Sequence, residues 1–277
     1  MLAMTTYEAT SVYALGPGPD EAARLRRQSR ELAAEAQALL ARIGVRPGQA
    51  AIDLGCGPSG ILAQLAEAVS PGGRVVGLDA DPAHVALARR YADDLGLGNV
   101  EVLAGDARRT GLSAGGFDLV HTRTLLVTVP EPDEVVAEMV RLARPGGWVA
   151  CQEPDVGISL CYPPLPAWDR LRDLFMASFG RSGADCRIGR RLPELLRAAG
   201  LEQVEASVLA SSYPAGHSRR TVIPDLARSL RPVILELGLA GERELDELDS
   251  AVREHLADPR TMMMPHLLVA ACGRKPG

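Results

Sequence analysis

The chain is 277 residues long, 47% hydrophobic and 23% charged, which is enough to bury a sizeable core in one large domain or two small ones. Its net charge of −5 gives no general attraction to nucleic acid or an anionic membrane, and no stretch approaches the length of a membrane span. Five scattered cysteines without a C-x-x-C pair argue against a disulfide framework or zinc site, and the N-terminus lacks a basic segment leading into an apolar run; the expectation is a cytoplasmic bacterial protein with free thiols.

Residues 1–19 contain Gly and Pro and predict irregular chain. Asp20 reads as the N-cap of a helix reaching Ile43, with Leu25, Leu32, Leu39 and Leu40 on one face, and Gly44 with Pro47-Gly48 ends it. A repeating rhythm follows. Apolar runs at Ala50–Leu54, Arg74–Leu78, Val100–Leu103, Phe117–His121 and Trp148–Gln152 alternate with helical stretches at Gly60–Val69, Pro82–Leu95 and Glu131–Ala143. Strands that are apolar throughout, separated by helices, predict a parallel sheet covered on both faces. Beyond Glu153 the rhythm loosens. Helices are expected at Trp168–Phe179, Arg190–Ala199 and through most of Ile223–Leu256, with further strands at Val204–Ser212 and Leu267–Cys272. These signals describe a single domain over 1–277, with a ligand-binding core at 45–155 and helical additions from 1–44, 158–188 and 222–258.

The turn Asp53-Leu54-Gly55-Cys56-Gly57-Pro58-Ser59-Gly60 lies between a predicted strand and a helix. The G-x-G-x-x-G spacing lets backbone approach a ligand closely, and by itself also fits a nicotinamide dinucleotide. Asp53 separates the two: a carboxylate before the first glycine repels a pyrophosphate but suits a cationic α-amino group. Asp79, ending the second strand in Gly77-Leu78-Asp79-Ala80, can accept two hydrogen bonds from a ribose diol. Asp106, in Gly105-Asp106-Ala107 after the third strand, can accept one from an adenine amino group. Three acids at the carboxyl ends of three consecutive strands converge where such sheets bind ligands. S-adenosylmethionine carries all of these groups and no phosphate.

On these motifs, together with Phe117-Asp118-Leu119-Val120 and Leu142-Ala143-Arg144-Pro145-Gly146-Gly147, residues 48–155 resemble the class I S-adenosylmethionine-dependent methyltransferases. The likeness is greatest to the ubiquinone and menaquinone group and, more loosely, to actinobacterial enzymes of natural-product biosynthesis. The resemblance implies a doubly wound, Rossmann-like α/β fold with seven strands, the last antiparallel at the sheet edge. It also implies a cofactor site of Asp53, Gly55, Cys56, Gly57, Asp79, Ala80, Gly105, Asp106 and Ala107, with Arg123 able to meet the methionine carboxylate, and S-adenosylhomocysteine as product.

The acceptor is less legible. The fourth strand ends in His121-Thr122-Arg123-Thr124, without the (Asn/Asp)-Pro-Pro-aromatic signature of enzymes that methylate amino groups of bases or glutamine. His121, Tyr162 and His217 are the candidate general bases, beside the ordinary reading of each as packing or surface. Glu153-Pro154-Asp155 has no companion ligand pattern, so no metal is expected. Arg187/Arg190/Arg191 and Arg219/Arg220 read as solvated clusters or as sites for an acidic acceptor. The expectation is methyl transfer to O, C or N of a small, largely apolar metabolite. The alternative is a cyclase or decarboxylase that uses the same cofactor for positioning or charge. A dehydrogenase or a degenerate regulatory module fits less well. The N-terminal helix can close the site of its own subunit or a neighbour's, which leaves a homo-oligomer open.

Overall fold

In the computed structural model, residues 19–181 and 183–277 are described. Most of the expected irregular N-terminal segment lies outside them. The main sheet is formed by β1 (Ala50–Leu54), β2 (Arg74–Asp79), β3 (Val100–Ala104), β4 (Phe117–Arg123), β5 (Ala143–Asp155), β7 (Glu202–Ala210) and β9 (Leu267–Arg274), in the order β3-β2-β1-β4-β5-β9-β7. The first five pair in parallel. Strand order reverses beside β1, which opens a crevice at the carboxyl ends of β1 and β4.

Both faces are covered, which is why the central strands are apolar without alternation. Ala51, Val75 and Leu119 pack against α2 (Ala33–Ile43), α3 (Leu62–Val69) and α4 (Pro82–Asp94). Ile52, Val76 and Val120 pack on the other face with α5 (Pro132–Leu142). That second core runs on without a break into α6 (Pro166–Gly180), α7 (Leu192–Ala198), α8 (Val222–Ser229), α9 (Arg231–Glu236) and α10 (Glu242–Ala257).

Three features depart from the sequence reading. The first helix is two: α1 (Pro19–Glu31) and α2 are broken at Leu32 (φ −104°, ψ 17°), so Asp20 stands inside the first turn. At the break Leu32 O accepts from Arg123 Nη1 at 3.1 Å as well as from the Ala36 amide at 3.2 Å. Secondly, β9 is antiparallel as expected but sits between β5 and β7 rather than at the edge. The three-helix excursion α8–α10 gives the chain the length to return in the opposite sense. Thirdly, β6 (Leu160–Tyr162) and β8 (Met262–Met264) form a separate two-stranded sheet. Three-residue strands are too short to leave a periodic signal.

Candidate active site

Gly55, Gly57 and Gly60 adopt φ of +67°, +55° and +49°, a left-handed region closed to most side chains. They serve different ends. A Cβ on Gly55 would meet the Leu125 side chain at 2.9 Å, and one on Gly60 would meet Asp53 Oδ2 at 2.2 Å and Cys56 O at 2.9 Å. On Gly57 it would find nothing nearer than Leu25 at 3.9 Å. Gly55 and Gly60 are therefore packing positions, while Gly57 is the point where the turn faces open space.

The Gly57 amide donates to Asp79 Oδ2 at 2.7 Å. The other oxygen of Asp79 accepts from the Asp81 amide at 2.9 Å and lies 3.5 Å from His84 Nδ1. Hydrogen bonding to Asp79 raises the His84 pKa against the opposing effect of burial. Asp79 thus ties the glycine turn to the end of β2 while its carboxylate stays at the crevice edge, 9% exposed. Ala80 follows, exposed, and Asp81 caps α4 by accepting from the Ala83 amide. Gly105 continues the same rim, its amide donating to Asp79 O at 3.0 Å. Asp106 is gripped by Arg108 through the backbone amide and guanidinium at 2.8 Å, and that pairing holds its carboxyl below the usual range. Ala107 is buried beside it, and the Cys56 thiol is buried in the turn, its pKa raised by burial and then by Asp53 and Asp79.

Asp53 and His121 are placed otherwise than expected. They are cross-strand partners in the β1–β4 register, so both side chains leave the same face of the sheet. Asp53 Oδ1 lies 2.8 Å from His121 Nδ1, while its Oδ2 accepts from the Ile61 amide at 3.0 Å. Since a carboxylate only accepts, the Nδ1 proton points at Asp53. His121 Nε2 faces Gln152 Oε1 at 3.4 Å, and Gln152 Nε2 donates to Glu35 O at 3.2 Å. With His121 fully buried and Asp53 at 2% exposure, neither presents a free polar atom to the crevice.

Arg123 also turns inward. Burial lowers its pKa, and its donors go to Leu32 O, to Ser29 Oγ at 3.1 Å and to Gly60 O at 3.3 Å. It latches the α1–α2 junction onto the glycine turn rather than standing free for a carboxylate. Of the other proposed bases, Tyr162 lies 63% exposed on the two-stranded sheet. His217 caps a 3₁₀ turn (Ser218–Thr221), its Nδ1 accepting from the Arg219 amide at 3.1 Å, and its ring stacks on Tyr213 with centroids 4.8 Å apart.

Glu153 is the residue whose placement the sequence left unread. It is fully buried at the carboxyl end of β5 and accepts from the amides of Leu125, Leu126 and Val127 at 2.9–3.2 Å. Burial outweighs those donors and its pKa is pushed up to about 8. The loop it holds begins at Thr124, in a left-handed conformation (φ +54°), and carries Leu125 onto Gly55. Only the run of apolar residues after β4, opposite an acid on β5, hinted at this. Asp155 is taken up by Arg190 through two hydrogen bonds of 2.5 and 2.8 Å, and Arg191 by Asp185 at 3.1 Å, so these two arginines of that cluster pair within the protein. Among the described residues no group of three or more His, Cys, Asp or Glu is arranged to hold a metal ion.

Residues 46–182 match a family model described as a methyltransferase domain. Over those residues the chain is a methyltransferase domain. Nocamycin O-methyltransferase of Saccharothrix syringae is 37% identical to this chain over 119 residues, 43% of this chain and 42% of that protein. A demethylmenaquinone methyltransferase of Oceanobacillus iheyensis is 35% identical over 112 residues, 40% of this chain and 47% of that one. The chain thus spans about half the length of these curated relatives. In fold it resembles a structure titled as a putative methyltransferase from Bacillus halodurans, with a TM-score of 0.60 at 19% identity, covering 87% of this chain and 99% of that one. No helix among the described residues is long and apolar enough to cross a membrane.

Proposed function

We propose that this methyltransferase moves the methyl group of S-adenosylmethionine to O, C or N of a small, largely apolar acceptor and releases S-adenosylhomocysteine. The observation that carries the reading is the open Gly57 with the Asp79 carboxylate beside it, at the crevice where strand order reverses. The fit to the cofactor is good: Asp79 keeps accepting capacity for a ribose diol, and Gly57 leaves room for close approach. Asp106 and Ala107 stand at the next strand end, where an adenine would lie. Bound there, the cofactor supplies an electrophilic methyl group on a sulfonium.

The chain's own part is to hold, orient and exclude water. Asp53, His121 and Gln152 fix the ends of β1, β4 and β5 relative to one another, and Glu153 fixes the loop that brings Leu125 to Gly55. Alignment of acceptor, carbon and sulfur can contribute about 7–11 kcal/mol of the barrier, so a base is secondary. A base contributes about 10²–10⁴-fold, and His217 is favoured over Tyr162 for that role by its place on the 3₁₀ turn facing α1. The segments 158–188 and 222–258 cover the acceptor. The likeness to nocamycin O-methyltransferase favours O-transfer in natural-product biosynthesis.

The test is incubation with methyl-labelled S-adenosylmethionine and a panel of phenols, catechols and quinols. Label should enter at least one acceptor with an equal yield of S-adenosylhomocysteine. An acceptor converted without any S-adenosylhomocysteine would replace this reading with a cyclase or decarboxylase.

A further inference from the structure

Two adjacent arginines, Arg219 and Arg220, are equally buried, at 4% and 3% exposure, but their surroundings differ. The Arg220 guanidinium is satisfied throughout: it donates to the carbonyls of Leu256, Tyr213, Asp258 and Thr261. It is a structural bridge between the 3₁₀ turn and the end of α10. Among the described residues the Arg219 guanidinium has one hydrogen-bond partner, His266 Nε2 at 3.0 Å, and it stacks over the Tyr213 ring at 5.6 Å. Its Nε is buried without a partner among the described residues, and so is His266 Nδ1. Among the described residues no carboxylate forms an ion pair with Arg219. His266 gives no compensating charge either, because burial and Arg219 hold its pKa down to about 3. A buried cation without a counter-charge is costly unless something else supplies one.

Arg219 lines a narrow cleft between α1 and the 3₁₀ turn with α8, whose walls also carry Arg27, Gln28, Glu31, Ser218 and Asp225. Its two acids are engaged elsewhere: Glu31 accepts from Ser218, and Asp225 from Thr221 and Arg253. Gln28 also donates to Thr124 Oγ1 at 3.3 Å, which ties the cleft to the end of β4 and so to the glycine turn. The interior is tight, about 20 Å³, and parting Ser218 from Glu31 is what would open it.

The geometry points to Arg219 as the docking point for a carboxylate on the methyl acceptor, with Tyr213 as an apolar wall beside it. This rests on the methyltransferase reading and narrows it: the acceptor has an apolar body and an anionic handle. The planar guanidinium fork matches a carboxylate in two parallel hydrogen bonds, which a lysine or a histidine in its place would not offer. The unpartnered Nε is one of the donors that fork needs.

The test is a calorimetric titration of the protein, saturated with S-adenosylhomocysteine, with sodium benzoate and with its neutral isostere benzamide. Benzoate is expected to bind at least tenfold more tightly than benzamide, and Arg219→Gln to weaken benzoate at least tenfold while leaving S-adenosylhomocysteine affinity unchanged. Equal binding of the two probes, or undiminished benzoate binding by Arg219→Gln, overturns the proposal. If wild type fails to bind S-adenosylhomocysteine, the methyltransferase reading falls, yet the benzoate contrast still reports on Arg219. Thermal melting separates a site from a structural role. Arg219→Gln should melt close to wild type and Arg220→Gln well below it; an Arg219→Gln that melts as low as Arg220→Gln marks a second structural bridge and overturns the assignment.

Discussion

At the scale of single residues, the acids that marked this chain out have divided into two kinds. Asp79 ends β2 and Asp106 follows β3, each held by neighbouring backbone or side-chain donors. Asp53 is legible as an acid before a glycine turn, but its partner is not, because His121 lies 68 residues away and meets it only through the β1–β4 register. Replacing His121 with Phe leaves a buried carboxylate oxygen without its donor, and the loss should be about 3–5 kcal/mol in urea unfolding. Wild-type stability in that variant, with activity lost, would instead make His121 a base. His266 gives a pH signature. It is held down to about 3 when folded against 6.5 when free, so the unfolded chain takes up the proton first as pH falls. The stability due to the neutral ring is complete above pH 6.5 and is lost progressively toward pH 3, by up to about 1.4 kcal/mol per unit. Between about pH 7 and about pH 5 the unfolding free energy of wild type should therefore fall more steeply than that of His266→Gln. Parallel slopes would contradict the burial of this ring.

At the scale of elements, the glycine turn makes the sharpest distinction. Gly57→Ala strains one left-handed residue in open space, a cost of about 1 kcal/mol or somewhat more. Gly60→Ala adds to that strain a Cβ driven into the Asp53 carboxylate and the Cys56 carbonyl, and should cost more than about 3 kcal/mol. Chemical denaturation of both variants checks the order, and equal losses would contradict the packing role given to Gly60. Period and punctuation were enough to read β1 to β5 and their helices, since each strand is a buried apolar run between glycine and proline signals. They could not show the break at Leu32. No glycine or proline marks it, and the side chain that meets it, Arg123, comes from β4. The β6–β8 pair and the place of β9 were hidden for related reasons, one by shortness and the other because sheet order is a property of contacts far apart in sequence.

For the molecule as a whole, the architecture divides into a parallel half-sheet and the helical additions beside it. The parallel half carries a ligand crevice at its point of strand reversal, and that half is where the sequence speaks clearly. On the proposed reading the helical segments beside it serve the acceptor, whose recognition then lies in isolated side chains such as Arg219 rather than in a motif. The account depends on Asp79 acting twice, as a tether for Gly57 and as a contact for the ribose. The most direct measurement is a calorimetric titration of S-adenosylhomocysteine into wild type and Asp79→Ala. The account predicts saturable one-to-one binding by wild type and an affinity lower by more than about 1 kcal/mol in the variant, from the lost hydrogen bonds to a charged group. Unchanged affinity in a folded Asp79→Ala protein would contradict it.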